Sequence, residues 1–141
     1  MKLQQLSLFL ENKPGRLQEA CEAFGAAGVN VETMSLVEAG DFGILRALVK
    51  EPAKALDALK DRFTVKTSNV LAIQTDDAPG ALAKALALFD VDESINIEYM
   101  YGFTSRNNVT AIVLSVNKPD AALALLQQGG IKLLNSETLF G

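Results

Sequence analysis

The chain contains an internal repeat, which restricts its fold more strongly than its composition does. The tetrapeptide Pro-Gly-Arg-Leu at residues 14–17 returns as Pro-Gly-Ala-Leu at residues 79–82, 65 positions later. Further along, Asn-Val-Glu-Thr-Met at 30–34 matches Asn-Ile-Glu-Tyr-Met at 96–100, with an offset of 66. The matches keep their order and the offset grows by one, as a single-residue loop insertion would make it. The 141 residues therefore hold two copies of one small unit.

Both copies predict the same order of elements: strand, helix, strand, strand, helix, strand. In the first copy, leucines alternate with other residues over positions 5–10, which is typical of a strand. Pro14 is expected at the first helical position, where proline is favoured. The helix that follows has apolar residues at i, i+3, i+4 and i+7, namely Leu17, Ala20, Cys21 and Phe24. In the second copy, the last strand is expected near residues 131–139.

The order βαββαβ is that of the ferredoxin-like fold. We therefore predict an α+β protein of two tandem units, at residues 1–69 and 70–141, each an antiparallel sheet with its helices on one face. The other face of the second sheet would carry Val109, Ala111 and Val113. Because these three residues are apolar, we expect another sheet or subunit to cover that face.

The composition excludes several common kinds of site. The chain has no His and one Cys, so it lacks the parts for a Cys/His zinc site, a disulfide framework or a Ser-His-Asp triad. We therefore expect no catalytic residues, no metal and no cofactor. The net charge of −4 disfavours binding to nucleic acid. No apolar run approaches the ~18 residues of a membrane span and residues 1–13 show no signal-peptide core, so we expect a cytoplasmic protein without membrane contact.

The loop between the first strand and the first helix of each copy is the strongest candidate site. Backbone N–H groups at a helix start have no partners within the helix and carry partial positive charge, so they can hold a carboxylate or a phosphate. Gly15 would let a ligand approach the backbone closely. Asn12 and Asp77 could cap the helix or contact an ammonium group. The alternative is that Pro-Gly at this position is ordinary turn chemistry with no ligand.

Other reactive or charged side chains are better explained by packing or solvation. Cys21 is expected to be a buried core thiol, because its repeat mate is Leu86. Glu32 and Glu98 are repeat mates without an evident acid–base partner, so solvated or interface roles are expected. On the second strand of copy two, four residues are expected to share one face: Ile97, Tyr99, Tyr101 and Phe103.

The first-loop pattern resembles that of the ACT domain, a βαββαβ unit. The shared pattern is an apolar strand followed by Asn or Asp, two residues, Gly, one residue and Leu, and it occurs at residues 12–17 and 77–82. The resemblance covers both copies and is closest to small proteins made only of two ACT domains. It implies a non-catalytic regulatory protein that binds a free amino acid where two such domains meet.

The resemblance, together with the placement of the second strands, implies a set of ligand-binding residues. They are Asn12, Lys13, Pro14, Gly15, Arg16 and Leu17 in the first loop, Asp77, Pro79, Gly80 and Leu82 in the second loop, and Met34, Met100 and Tyr101 on the second strands. Because aromatic and sulfur-bearing side chains lie on these strands, a ligand with an aromatic or imidazole side chain is favoured. Asp77 replaces Asn12, so we expect the two sites to differ in affinity or only one of them to bind.

We also expect a homodimer that completes a larger sheet assembly, with an enzyme of amino-acid metabolism as a candidate partner. A second hypothesis is an interaction or scaffold module that binds no ligand and docks on a metabolic enzyme, which the apolar sheet face would favour. A third is a small acylphosphatase-like hydrolase, in which Arg16 would hold a phosphate. The third is disfavoured because the second copy has Ala81 at that position.

Overall fold

The computed structural model describes residues 2–105 and 107–141. In chain order the elements are β1 (Leu3–Glu11), α1 (Arg16–Ala26), β2 (Val31–Ala39), β3 (Phe42–Val49), α2 (Pro52–Leu59), β4 (Thr64–Gln74), α3 (Ala81–Ala87), β5 (Ile97–Thr104), β6 (Thr110–Val116), α4 (Pro119–Gln128), β7 (Lys132–Leu134) and α5 (Ser136–Phe140). A short 3₁₀ helix at Leu88–Val91 directly follows α3. The predicted element order is therefore present, except that the last strand of the first copy and the first strand of the second are one continuous strand, β4, and that an extra helix, α5, follows β7.

The chain divides into two compact units. The first unit comprises residues 4–68, and the second comprises residues 69–141 with residues 2 and 3. Strand β4 crosses this division, so it contributes to both units. The strand order is β2-β3-β1-β4 in the first unit and β5-β6-β4-β7 in the second. The pairs β1–β3, β2–β3, β4–β6, β4–β7 and β5–β6 are all antiparallel, which confirms the predicted α+β ferredoxin-like fold.

The helices of the first unit cover one face of its sheet. Strand β1 points Leu6, Leu8 and Leu10 to this face, because alternate residues of a strand point the same way. They form one core with residues of β3 and of both helices, namely Leu45, Ala47, Val49, Ala20, Ala23, Phe24, Ala55 and Leu59. Burial of each leucine stabilises the fold by about 1.5–3 kcal/mol relative to exposure.

The second unit builds its core in the same way. Its members come from β4, β6, β7, the helices and the 3₁₀ turn: Leu71, Ile73, Ala85, Phe89, Leu114, Val116, Ala122, Leu126 and Leu133. The register pairs Leu8 with Leu45 in one sheet and Ile73 with Ile112 in the other. Because these two pairs occupy matching positions of the repeat, strand register identifies which residue of one sheet corresponds to which residue of the other.

Glycine, not proline, precedes the first helix of each unit. Gly15 is the N-cap residue of α1 with φ +89°, and Gly80 is the N-cap residue of α3 with φ +82°. This left-handed conformation is open to glycine and strained for other residues, so a regular helix cannot extend back through it. The prediction that Pro14 occupies the first helical position is therefore wrong. Neither cap uses a side chain, so Asn12 and Asp77 do not cap the helices.

The buried stripe of α1 is rotated relative to the prediction. Ala20, Ala23 and Phe24 face the core, whereas Cys21 is exposed, so the prediction of a buried thiol is wrong. Residue 21 lies about 100° from residue 20 around the helix axis, which places it at the margin of this stripe. Leu17 is also exposed and faces the loop that precedes the helix.

A bulge in β5 separates residues that the sequence pattern places on one face. The register of the β5–β6 pair shifts between Ile97 and Tyr99. Ile97 consequently packs against the helix-side core, whereas Tyr101 pairs with Val113, which lies outside that core. The prediction that Ile97 shares a face with the two tyrosines and Phe103 is therefore wrong.

The end of the chain covers part of the outer face of the second sheet, the face away from its helices. Ala111 and Val113 on this face are 1% and 0% exposed. Phe140 of α5 stacks on Phe103 with 6.4 Å between ring centroids, and Phe103 is the register partner of Ala111. The predicted cover by another sheet or subunit therefore omitted a contribution from the chain's own last helix.

Strand β7 is shorter than the predicted strand near residues 131–139, and it ends at Leu134. The side chain of Asn135 accepts a hydrogen bond from the backbone N–H of Thr138 at 2.8 Å. This N-cap turns the chain into α5 instead of extending the strand.

Candidate ligand-binding site

A groove lies beside the loop that joins β1 to α1 in the first unit. Its volume is about 310 Å³. The lining residues are Leu10, Glu11, Asn12, Lys13, Arg16, Leu17, Leu36, Glu38 and Gly43, and we call this set the first-loop groove. Asn12, Lys13, Arg16 and Leu17 belong to the set predicted from the sequence, and Pro14 and Gly15 lie between them in the loop. The remaining lining residues were not predicted.

The sequence reasoning missed the wall that β2 and β3 supply. Leu36 pairs with Leu45 of the core, so Leu36 and Glu38 lie on the helix side of the sheet. The period-two spacing from Met34 is the signal that could have found both residues. Gly43 makes room for this wall, since a Cβ at Gly43 would lie 3.2 Å from Cδ1 of Leu36.

Hydrogen bonds fix the loop and tie it to the hairpin between β2 and β3. The Asn12 N–H donates to the Asp41 carbonyl oxygen at 2.9 Å, and the Lys13 N–H donates to the Glu11 carbonyl oxygen at 2.9 Å. The side-chain amide of Asn12 donates from Nδ2 to Oε1 of Glu38 at 3.4 Å. The loop and the wall are therefore held together on both sides of the groove.

The first turn of α1 presents backbone N–H groups without partners. The Glu19 N–H donates to the Gly15 carbonyl oxygen at 3.0 Å. Within residues 2–105 and 107–141, no protein acceptor bonds the N–H groups of Gly15, Leu17 or Gln18. Such groups form the positive end of the helix dipole and favour anions. This turn can therefore hold a carboxylate.

Arg16 is held beside this turn, and one of its buried donors has no partner among the described residues. Its Nη1 donates to Oε2 of Glu19 at 2.6 Å, and its guanidinium carbon lies 4.9 Å from the centroid of the Phe63 ring. The side chain is 19% exposed, and its Nε is buried without a hydrogen-bond partner in the described part of the chain. A buried donor left unsatisfied costs about 1–3 kcal/mol, so an acceptor oxygen from a ligand at Nε would be favourable.

The groove carries both signs of charge. Nζ of Lys13 lies 3.2 Å from Oε2 of Glu11, so these two charges partly neutralise each other. Glu38 accepts from the neutral amide of Asn12 and forms no ion pair with any described residue. The groove therefore offers a carboxylate to a ligand's ammonium group and, at Arg16 and the start of α1, donors to a ligand's carboxylate.

The methionines and the tyrosine of the predicted set are placed differently from the loop residues. Met34 lies on the helix side of β2, beside the groove wall, but does not line the groove. Met100 is its counterpart on β5 and pairs with Leu114 of the second core. Tyr101 pairs with Val113 on the opposite face, so its own sheet does not bring it to the second loop.

The second loop keeps the backbone of the first loop but not its side chains. The Ala78 N–H donates to the Asp76 carbonyl oxygen at 2.9 Å and the Ala81 N–H donates to the Ala78 carbonyl oxygen at 3.2 Å, as their counterparts do in the first loop. The predicted residues in and beside this loop are Asp77, Pro79, Gly80 and Leu82. Ala78 and Ala81 stand where the first loop has Lys13 and Arg16.

Among the described residues, no three His, Cys, Asp or Glu side chains come together as a metal site would require. In the same part of the chain, no helix has both the length and the apolar character needed to cross a membrane.

Comparison with known proteins gives the family. A family model described as an ACT domain pair matches residues 1–139. The crystal structure of protein BT0572 from Bacteroides thetaiotaomicron is 40% identical, with a TM-score of 0.88 over 99% of this chain and 96% of that chain. The ligand-free regulatory subunit of aspartate kinase from Thermus thermophilus has the same fold at 17% identity, with a TM-score of 0.61 over 89% of this chain and 91% of that one. A comparison with curated proteins finds no match. The chain belongs to the ACT domain pair family.

Proposed function

We propose that this chain is a non-catalytic regulatory protein that binds a free amino acid in the first-loop groove. The observation that carries the proposal is that Arg16 and Leu17 line the same groove as Glu38, while Nε of Arg16 and the Leu17 N–H have no acceptor among the described residues. An α-amino acid presents a carboxylate and an ammonium group on one carbon, which matches these two kinds of group.

The ligand's two charged groups would take different parts of the groove. Its carboxylate would accept hydrogen bonds from the start of α1 and from Arg16, since bonds between charged partners are the stronger ones. Its ammonium group would donate to Glu38 and to the side-chain oxygen of Asn12. Its side chain would then lie against Leu17 and Leu36, which are 37% and 50% exposed.

We keep the preference for an aromatic or imidazole side chain, but on a different basis from stacking against tyrosine. None of the described residues that line the groove carries an aromatic ring. Two leucine side chains suit the face of a flat ring, and a ring N–H would find an acceptor in Glu11 or Glu38. An imidazole therefore fits the groove better than a phenyl ring, because only the imidazole can donate an additional hydrogen bond to these carboxylates.

Regulation is favoured over catalysis by the family and by the fold. The ligand-free regulatory subunit of aspartate kinase from Thermus thermophilus shares that fold. We therefore extend the proposal to an enzyme of amino-acid metabolism as the partner and to a cytoplasmic location. The hydrolase hypothesis is disfavoured, because Nη1 of Arg16 is already committed to Glu19.

We further propose a homodimer that closes the open side of the groove. Strand β2 is an edge strand, and an edge strand presents unpaired backbone groups to a partner strand. Met34, Leu36 and Val37 on this strand are 40%, 50% and 46% exposed. Pairing with the same edge of a second copy would cover these side chains and add partner atoms beside Leu36. Met34 would reach the ligand only through such an arrangement.

One observation favours the alternative of an interaction module without a ligand. Phe42 and Val37 lie on the face of the first sheet away from its helices, and Phe42 is 51% exposed. An exposed aromatic residue of this kind is a common anchor in protein interfaces. This alternative predicts that Phe42→Ser abolishes binding to the partner enzyme while amino acids have no effect on either protein.

A thermal-shift screen of the twenty common amino acids tests the proposal. A ligand at 100 times its Kd should raise the free energy of unfolding by about 2.7 kcal/mol, which is readily seen as a higher Tm. We expect at least one amino acid to stabilise the chain and Gly15→Val to remove that effect. If no amino acid shifts the Tm of well-folded protein, the proposal is wrong.

A further inference from the structure

We infer that each chain binds one amino acid, in the first-loop groove, and that the second loop rejects the same ligand. This inference rests on the proposed function and assigns its stoichiometry. It is not obvious from the backbone, because the two loops share three backbone hydrogen bonds and both helices start after a glycine with positive φ. The difference lies in the side chains that surround the two helix starts.

The second loop lacks the cations of the first. Ala78 and Ala81 replace Lys13 and Arg16, so Nε of Arg16 has no equivalent there. The carboxylates of the first loop region have counterparts, since Asp76 and Asp77 occupy the positions of Glu11 and Asn12. A ligand carboxylate at the second helix start would therefore meet two negative side chains and no loop cation, and like charges at short range repel.

Lys84 does not replace the missing cations. It is the fourth residue of α3 and takes the position of Glu19, so it stands at neither of the two loop positions that held a cation. Helix α3 itself is seven residues long and passes into the 3₁₀ turn at Leu88–Val91, whereas α1 has eleven residues. With that turn the second helical segment also spans eleven residues, 81–91, so the two helix starts differ in their side chains.

The wall of the groove is lost as well. Register places Gly102 at the position of Leu36, because Leu36 pairs with Leu45 and Gly102 pairs with Ile112. In the same way Thr104 takes the position of Glu38, and Thr110 takes that of Gly43.

The two threonines complete the change. Oγ1 of Thr104 and Oγ1 of Thr110 are 3.1 Å apart and satisfy each other by a hydrogen bond. The second sheet thus lacks the apolar side chain at the Leu36 position and the carboxylate at the Glu38 position. Leu82 keeps the position of Leu17, but the cations and the residues at the Leu36 and Glu38 positions are replaced.

Equilibrium dialysis measures the stoichiometry directly. The full chain is dialysed against the twenty common amino acids together, each at about 1 mM, and the amino acids retained are quantified per mole of chain. We expect retention to saturate at one mole per mole of chain. Saturation at two moles would overturn the inference and leave the proposed function intact. No retention of any amino acid would overturn the proposed function itself.

Two matched glycine variants locate the ligand. Gly15 and Gly80 have nearly the same φ, and a Cβ at either position meets no atom within 4 Å, so valine strains both loops alike. We expect Gly15→Val to abolish retention and Gly80→Val to leave it unchanged. Loss of retention in Gly80→Val, with circular dichroism showing a folded chain, would overturn the inference.

A second pair of variants avoids the strain at glycine. Arg16→Ala converts one position of the first loop to its counterpart in the second, and we expect it to weaken binding about 10-fold to 100-fold, the range for a lost hydrogen bond between charged partners. Asp77→Asn gives the second loop the residue of the first, and we expect no change in retention at these concentrations, because the cations and the wall are still missing. A second bound ligand in Asp77→Asn alone would contradict the assigned role of those features.

Discussion

Arg16 lies over the ring of Phe63, with 4.9 Å between the guanidinium carbon and the ring centroid. Phe63 is buried in the turn between α2 and β4, where its N–H donates to the Leu59 carbonyl oxygen. A residue that lines the first-loop groove is therefore in contact with the turn that leads into β4. Any movement of Arg16 towards a ligand would change this contact.

Replacement of Phe63 by leucine tests whether the ring positions Arg16. We expect Phe63→Leu to lower the free energy of unfolding by about 1–2 kcal/mol through lost packing and cation–π attraction, and to weaken amino-acid binding several-fold. Urea unfolding and dialysis measure the two effects. Phe24→Leu is the control, because Phe24 is buried in the same core but does not contact Arg16. Equal loss of affinity in both variants would show that only stability matters.

Removal of the Glu19 carboxylate tests the second restraint on Arg16. Glu19→Gln should change the free energy of unfolding by less than about 1 kcal/mol, because the pair is partly exposed and of the i, i+3 kind. We expect a clear change in amino-acid affinity even so, since Arg16 would lose its fixed orientation. Titration calorimetry gives the affinity. Glu22→Gln, one turn further along the same helix, is the control and should leave the affinity unchanged.

Gly43 sets the shape of the groove wall. Gly43→Ala would place Cβ 3.2 Å from Cδ1 of Leu36, which is tighter than normal packing, so Leu36 must shift. We expect weaker amino-acid binding by about 1 kcal/mol, which calorimetry can measure. Gly102→Ala is the matched control, because its Cβ would lie 3.6 Å from the Ala111 carbonyl oxygen, an ordinary contact. Unchanged binding in Gly43→Ala would argue that Leu36 does not touch the ligand.

The C-terminal helix should contribute strongly to stability. Phe140 is buried and stacks on Phe103, so Phe140→Ala should lower the free energy of unfolding by about 3–5 kcal/mol. Urea unfolding measures this loss. Val91→Ala is the control, because Val91 is exposed and its removal should change stability by no more than about 0.5 kcal/mol. A loss below 1 kcal/mol in Phe140→Ala would mean that α5 is not a fixed part of the fold.

Asp92 should make stability depend on acid pH. The hydroxyl of Ser94 and then its backbone N–H donate to the Asp92 carboxylate, and Lys118 lies nearby, so the pKa of Asp92 is below its usual value of 3.8. Because the folded state binds this proton less readily than the unfolded state, the stabilisation is complete above pH 3.8 and is lost as the pH falls through the lowered value.

The Asp92→Asn variant checks this sign. Its urea midpoint should fall less between pH 5 and pH 3 than that of the natural chain, since the variant has no carboxylate to protonate at this position. Glu93→Gln removes a neighbouring carboxylate that accepts no hydrogen bond from Ser94, and it should keep the pH dependence of the natural chain. A steeper fall in Asp92→Asn would reverse the assignment.

The parts of the fold that depend on local pattern were predictable. The alternating leucines of β1 and the repeated Pro-Gly loop were sufficient for the element order and the family. The exposure of Cys21 was missed because it lies at the margin of the buried stripe of α1, one position from the buried Ala20. The bulge after Ile97 was missed because an extra residue in a strand leaves no mark on short-range periodicity.

The groove shows the same limit. The loop motif at residues 12–17 predicted four of the lining residues, namely Asn12, Lys13, Arg16 and Leu17. Leu36 and Glu38 reach the loop only through the register of β2 with β3, which is a property of the assembled sheet. The pairing of Arg16 with Phe63 joins residues far apart in the chain, and no pattern in either segment predicts it.

Nuclear magnetic resonance of nitrogen-15-labelled protein tests most directly the central claim, that an amino acid binds at the first loop and not at the second. The twenty common amino acids are added together while the signals of both loops are followed. The account predicts large shifts for the Gly15 and Leu17 amides and for Nε of Arg16, with the Gly80 and Leu82 amides unmoved. Binding that leaves the Gly15 and Leu17 amides unchanged would contradict it.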